Sequence, residues 1–515
     1  MKLHLLARCV LLALVVSVLR ADDPPKEAPK ADEKSVPEAK EPKLSVTEHE
    51  ITLGGKTIKY RATAGYLVLK DDKDKPQANI FFVAYTKMDE ADPAKRPLMF
   101  SFNGGPGSAS VWLHMGALGP KRVLMTEKGD SLPPPYKWQD NEYSWLDQTD
   151  LVFIDPVSTG YSRAAKDVDP KQFHGFNGDI ESVANFIHLY TTRYERWASP
   201  KFLVGESYGT TRAAGLSDYL QQQYDLYLNG IILISSVMNF ETLEFGAGND
   251  LPYQLFLPTY TAAAWYHGKL KGDWAKDLAG ALARSKEFAA HDYTLALMQG
   301  DALPARERER VAKELATLTG LKEEFIAKAN LRVSIFQFVR ELRRDENRVI
   351  GRLDSRIVGI APGDGPGPRD GGFYDPSIEA IMGGYTNALN AYVRHDLKYE
   401  SDLSYEMLTG NVQPWSYRNV ENEYLNVAQT LKQAMTKNTY LKVWIANGYY
   451  DLATPFFATE YTVQHMGLDP AVRGNVKLTY YEAGHMMYIH SESLKKLKAD
   501  FTAYIDDTLK SAGVR

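Results

Sequence analysis

Ser207 lies in the pentapeptide GESYG (205–209), directly after the apolar run KFLVG and before a helically spaced segment that begins TTRAAGL. A serine flanked by small residues at a strand-to-helix turn folds the backbone tightly enough to lift its hydroxyl above a sheet, ready for nucleophilic attack. An ordinary glycine-rich turn would share the composition; the position after a buried strand favours the nucleophile. A neutral hydroxyl is a weak nucleophile, so it needs a base, and the base needs an orienting carboxylate. In a sheet of this kind the expected chain order is serine, acid, histidine. KVWIANGYYDLATP places Asp451 just past one apolar run, and KLTYYEAGHMMYIH places His485 just past the next. Of the 11 histidines, His485 alone combines the last strand, a preceding glycine and a place downstream of the acid. His490 falls in the helix that follows, while His114 and His465 lie in helical segments and read as packing or surface residues.

A tetrahedral oxyanion needs two backbone N–H donors, and glycines let the main chain approach a reacting carbonyl closely. FNGGPGSAS (102–110), after the run PLMFSF, falls where such a loop belongs. The expected donors are the amides of Gly105 and of Tyr208, the residue after the nucleophile. A plain turn of the same composition is the alternative.

These residues need a scaffold. Short, nearly continuous apolar runs occur at 97–102, 151–155, 201–205, 230–235, 442–447 and 477–481. Such runs suit strands buried on both faces, and the helical spacing at 178–195 and 210–223 supplies crossovers. The fold class is therefore α/β, with a mostly parallel central sheet. Alternating residues at 58–69 and 79–86 around DDKDKP predict an antiparallel hairpin at its edge. Between 239 and 376 the strand rhythm stops and helical patterns at 258–290, 305–318 and 330–343 replace it, which reads as an inserted cap dividing the core into 44–238 and 377–515.

With the motifs placed, the chain resembles the serine carboxypeptidases of the α/β-hydrolase fold. The likeness rests on NGGPG (103–107), NEYSW (141–145), DLVFIDPVSTGYS (150–162), GESYG (205–209), NGYYD (447–451) and AGHM (483–486). It implies Ser207 as nucleophile, His485 as base and Asp451 as orienting acid. It also implies that Asn103, Gly104 and Glu206 meet the free carboxylate of a peptide, with Glu206 as a protonated acid, since an ionised one would repel the substrate. Two positions depart from the family pattern. A second glutamate expected fourteen residues after the motif asparagine is Ala117, and a disulfide cysteine is Ser108. From the missing acid we expect an activity optimum less acidic than that of lysosomal or vacuolar relatives.

The first 21 residues read as a secretory signal: Lys2 and Arg8 supply positive charge, the apolar run Cys9 to Leu19 is too short to span a bilayer, and Ala21 suits cleavage; a short membrane anchor is the alternative, since Leu19 and Arg20 make an imperfect cleavage context. Residues 22–43, with seven acids, five lysines and five prolines, read as a solvated linker. The 515-residue chain has net charge −5, which becomes −8 without the leader and its Lys2, Arg8 and Arg20. A mildly acidic body argues against a nucleic-acid partner. Cys9 is the one cysteine, so the exported body would hold no disulfide, which suits a bacterial periplasm or surface. The Gly/Pro-rich loop APGDGPGPRDGG (361–372) has acids, but their spacing fits no calcium loop, and the chemistry calls for no metal or cofactor. The leading expectation is a secreted enzyme removing residues from the carboxyl ends of peptides through an acyl-enzyme. The rivals are an acyltransferase or esterase with the same triad and a non-catalytic binding protein on a hydrolase scaffold.

Overall fold

The computed structural model describes residues 44–362 and 374–514. The leader, the linker to residue 43 and most of the loop at 361–372 lie outside the described residues.

The strands are β1 (Ser45–Leu53), β2 (Lys56–Lys70), β3 (Pro76–Lys87), β4 (Leu98–Phe102), β5 (Asp150–Ile154), β6 (Lys201–Ser207), β7 (Gly230–Ser236), β8 (Lys442–Gly448) and β9 (Val476–Tyr481). They form one sheet in the order β1-β2-β3-β5-β4-β6-β7-β8-β9, with a two-residue strand, Arg163–Ala164, added against β3. From β5 to β9 every pairing is parallel, whereas β1, β2 and β3 are antiparallel. This is the mostly parallel α/β sheet that the apolar runs imply, in the α/β-hydrolase arrangement that the family resemblance implies.

Side chains of successive strand residues point to opposite faces, so each central strand feeds two cores. Phe202 and Val204 enter one core with Met99, Trp444 and Phe501, while Leu203 enters the other with Phe100, Ile231 and Val443. Being buried on both faces is why these strands are nearly continuously apolar, with Ser101 the polar residue inside β4. The crossover helices α1 (Phe176–Arg193) and α2 (Tyr208–Tyr224) cover the second face. The first is closed by the last helix of the chain, Ser491–Ser511, whose Phe501 stacks on Trp145 at 3.8 Å between ring centroids.

Three local expectations need correcting. The predicted hairpin is not the sheet edge: β1 pairs outside it, and its alternating exposed and half-buried residues carry too little apolar content to stand out. The helical pattern at 258–290 is two helices, α3 (Leu251–Tyr266) and α4 (Leu278–Phe288), because Gly268 and Gly272 between them take φ +64° and +68°. The pattern at 330–343 gives a helix only from Ile335 to Glu341, started by a capping box between Ser334 and Gln337. Helix α5 (Ala305–Thr319) lies where its pattern predicts, and α6 (Pro376–His395) follows the undescribed loop.

Candidate active site

Ser207 ends β6 and caps α2 with φ 59° and ψ −130°, a sparsely populated conformation for a residue with a side chain. Two glycines make that turn possible. A Cβ on Gly205 would collide with the carbonyl of Gly209, and a Cβ on Gly104 would collide with the amide of Tyr208. The Gly104–Gly105 loop after β4 therefore lies against the N-terminus of α2, whose first N–H groups have no partner within the helix. Gly105 also lines the cleft that contains Ser207. The two amides expected to receive an oxyanion thus come from adjoining backbone segments, at the positive end of a helix dipole.

His485 and Asp451 meet beside this turn. His485 Nδ1 is 2.8 Å from Asp451 Oδ2, and both side chains are buried. The Asp451 carboxylate also accepts from the amides of Ala453 and Thr454, at 2.8 and 3.0 Å, and from the Thr454 hydroxyl at 2.7 Å. Four donors on one carboxylate fix its orientation and stabilise its charge. The His485 backbone is held by Leu353 and Ser235, whose carbonyl and hydroxyl take and give bonds of 2.7 and 2.6 Å. Burial opposes a charged His485, but Asp451, by charge and hydrogen bond and with help from Glu206, outweighs it and moves the imidazole pKa upward from 6.5. Ser207 and His485 line a single cavity of about 180 Å³.

Asn103, Gly104 and Glu206 line the same cavity. Asn103 Nδ2 donates to Glu206 Oε1 at 3.1 Å, and the Leu113 amide donates to Asn103 Oδ1 at 3.1 Å. The second bond sets the orientation of the amide, so its NH2 faces Glu206. Glu206 is 3% exposed, and burial lifts its pKa to about 7 against the opposing influence of His485, Tyr488 and Asn103. The remaining walls are largely apolar, with Trp112, Ile381 and Met486, and carry one guanidinium, Arg352.

Ala117 does not account for a less acidic optimum. Loss of a like-charge neighbour at Ala117 would by itself lower the Glu206 pKa and favour a more acidic optimum. Burial acts the other way and is larger, so a near-neutral expectation rests on desolvation and not on Ala117.

Other histidines fall outside the site. His114 is buried, hydrogen-bonded to the Tyr85 hydroxyl at 2.7 Å, and held neutral by burial, which lowers its pKa to about 3. His490 is not inside a helix but caps the one from Ser491 to Ser511.

Three supporting residues carry no motif of their own. Arg212 of α2 donates to the Asn103 carbonyl at 2.6 Å and to Asp179 of α1 at 2.8 Å, tying the loop after β4 to both helices. Thr454 joins the Asp451 cluster. Tyr488 donates its hydroxyl to Glu206 Oε2 at 2.6 Å. Tyr488 stands only three residues past His485, which is the one sequence signal that could have drawn attention to it.

A doubly flanked, mostly parallel sheet with a serine elbow after one central strand, and an acid and a histidine after two later ones, defines an α/β hydrolase. The chain belongs to the serine carboxypeptidase family, whose profile matches residues 54–493. Serine carboxypeptidase-like 33 of Arabidopsis thaliana is 31% identical over 148 residues, 28% of each chain. The pheromone-processing carboxypeptidase KEX1 of Saccharomyces cerevisiae is 32% identical over 156 residues, 28% of this chain and 20% of that one. The alignments thus span well under half of these relatives' length. The crystal structure of the prohormone-processing carboxypeptidase KEX1 from Saccharomyces cerevisiae superposes with a TM-score of 0.54 at 16% identity, over 87% of this chain and 91% of that one, which supports the fold.

Proposed function

We propose that this protein is a serine-type carboxypeptidase that releases residues from the carboxyl end of peptides. The observation that carries the reading is a buried acid and amide, Glu206 and Asn103, 3.1 Å apart, with Glu206 immediately before the serine of the elbow. Ester hydrolysis does not require that pair, whereas a terminal carboxylate can accept a hydrogen bond from the amide and another from an acid that still holds its proton.

In this reading Ser207 Oγ attacks the last peptide carbonyl while His485 Nε2 takes its proton. Asp451 holds Nδ1–H, so Nε2 is the free acceptor. The amides of Gly105 and Tyr208 receive the charge that forms on the carbonyl oxygen. His485 then protonates the leaving amine, and water hydrolyses the acyl-enzyme by the same route in reverse. Glu206 keeps its proton below about pH 7, so terminal carboxylates are bound there and released as pH rises through that value. His485 must be neutral to act as base, which sets the acidic side of the profile.

The leader and the absence of cysteine after residue 9 support export to a periplasm or the medium. Among the described residues no helix is long and apolar enough to cross a membrane. Labelling by a fluorophosphonate probe tests the reaction class: wild type should label at Ser207 and Ser207→Ala should not. Folded wild-type protein that never labels would leave a binding protein on a hydrolase scaffold.

A further inference from the structure

Glu206 has two side-chain hydrogen-bond partners on different elements. Asn103, after β4, donates to Oε1 at 3.1 Å, and Tyr488, in the short turn Met487–Ile489, donates to Oε2 at 2.6 Å. The Asn103 amide is held the right way round by the Leu113 N–H. Burial and the neighbouring Glu206 push the Tyr488 phenol well above its usual range, so its hydroxyl keeps its hydrogen. Both partners are therefore donors, and with the Tyr488 hydrogen spent on Oε2 neither accepts the proton that a neutral Glu206 carries. That proton is left for a group in the cavity.

Space has been made for this hydroxyl. A Cβ on Gly116 would stand 2.5 Å from Tyr488 Cε2, 2.7 Å from its Cδ2 and 2.5 Å from the Tyr385 hydroxyl. Ala117 beside it is small and fully buried. The segment 114–118 thus yields its volume to two tyrosine rings, one of which reaches Glu206.

We propose that Tyr488 is a positioning residue for terminal-carboxylate recognition: its hydroxyl anchors one oxygen of Glu206 and directs the acid's single proton toward the substrate. The proposal rests on the reading of Glu206 as carboxylate-binding acid. No bond to carbon is made or broken in this step; the Glu206 proton becomes the hydrogen of an O–H···O⁻ bond to substrate and returns on product release.

The groups that face Glu206 are Asn103, Tyr488, Tyr385 of α6, and His485 with Asp451 behind it. Among the two hydrogen-bonding side chains, Tyr488 can be altered by a single oxygen atom. Tyr488→Phe keeps the ring over Gly116 and removes a donor that stabilises the ionised form. The neutral form is then favoured to higher pH.

The test measures kcat/KM from pH 5 to 9 on a blocked dipeptide with a free carboxylate, on the same dipeptide as a C-terminal amide, and on a simple ester. For Tyr488→Phe on the free acid, KM at the pH optimum should rise about 3- to 10-fold, the worth of one hydrogen bond. The alkaline limb should move up by about half to one pH unit, while the ester rate stays within about twofold. Gly116→Ala, which pushes the ring away with its hydroxyl intact, should move the limb in the same direction. Loss of activity at the pH optimum with an unmoved alkaline limb in both variants, or equal losses on acid and ester, would overturn the proposal. Wild-type enzyme that treats free acid and amide alike would instead refute carboxylate recognition itself, and the role of Tyr488 with it.

Discussion

On the proposed function, replacing Asn103 with alanine should separate recognition of the substrate from the chemistry at Ser207. The residue is 1% exposed, and its side chain donates to Glu206, receives a bond from Leu113 and is also hydrogen-bonded with Tyr488. Its NH2 is the donor expected to face a terminal carboxylate. A hydrogen bond to a charged group contributes about 1.5–3 kcal/mol, so losing it should reduce kcat/KM on a free-acid dipeptide roughly 10- to 150-fold. The Leu113 N–H is orphaned at the same time, at a cost of about 1–3 kcal/mol in global stability. That cost lowers the unfolding midpoint but falls equally on every substrate, so the ratio of peptide to ester activity is the quantity to read. A small ester with no carboxylate should lose no more than about threefold, since Ser207, His485 and Asp451 make no hydrogen bond to Asn103. Asn103→Asp sharpens the test: it keeps an acceptor for Leu113 but replaces the donor with an anion beside Glu206, and should harm the peptide reaction at least as much. Parallel losses on peptide and ester in both variants would refute a role in binding the carboxylate.

Other perturbations have equally definite outcomes. In Asp451→Asn the side-chain oxygen still suits the amides of Ala453 and Thr454, which turns the NH2 toward His485 Nδ1 and forces the proton onto Nε2; kcat should fall roughly 10⁴-fold with little change in unfolding midpoint. In Glu206→Gln the stability changes with a known sign. Wild-type Glu206 is raised from 4.5 to about 7, so the folded state binds the extra proton between those values and loses stability as pH rises through them, by about 3 kcal/mol in full. Urea titrations at pH 4.5, 6 and 8 should therefore show the variant gaining on wild type as pH rises. In Gly205→Ala the new Cβ meets backbone of the α2 first turn, which no rotamer change relieves; roughly 3 kcal/mol of destabilisation and loss of fluorophosphonate labelling should follow together.

The central strands are legible because the chain must bury both their faces, which leaves runs such as 151–154 wholly apolar. The candidate reacting side chains stand out because each follows such a run at a turn: Ser207 at the end of β6, Asp451 after β8, His485 after β9. What escapes is what depends on distance across the fold. Tyr488 meets Glu206 across 282 residues, and Arg212 meets the Asn103 carbonyl across 109, with no local pattern to mark either. Thr454 is hidden differently, since a threonine three residues after an acid is common in loops. The strand β1 is faint because it lies at an edge and alternates charged residues with half-buried ones. The break between α3 and α4 is written in Gly268 and Gly272, which a search for apolar spacing alone passes over.

The most direct measurement is mass spectrometry of a mixed peptide library incubated with the purified protein, each peptide present both as free acid and as C-terminal amide. The account predicts ladders shortened one residue at a time from the carboxyl end of the free acids, amidated partners largely intact, and no change with Ser207→Ala. Cleavage at internal bonds, shortening from the amino end, or equal processing of acids and amides would contradict it.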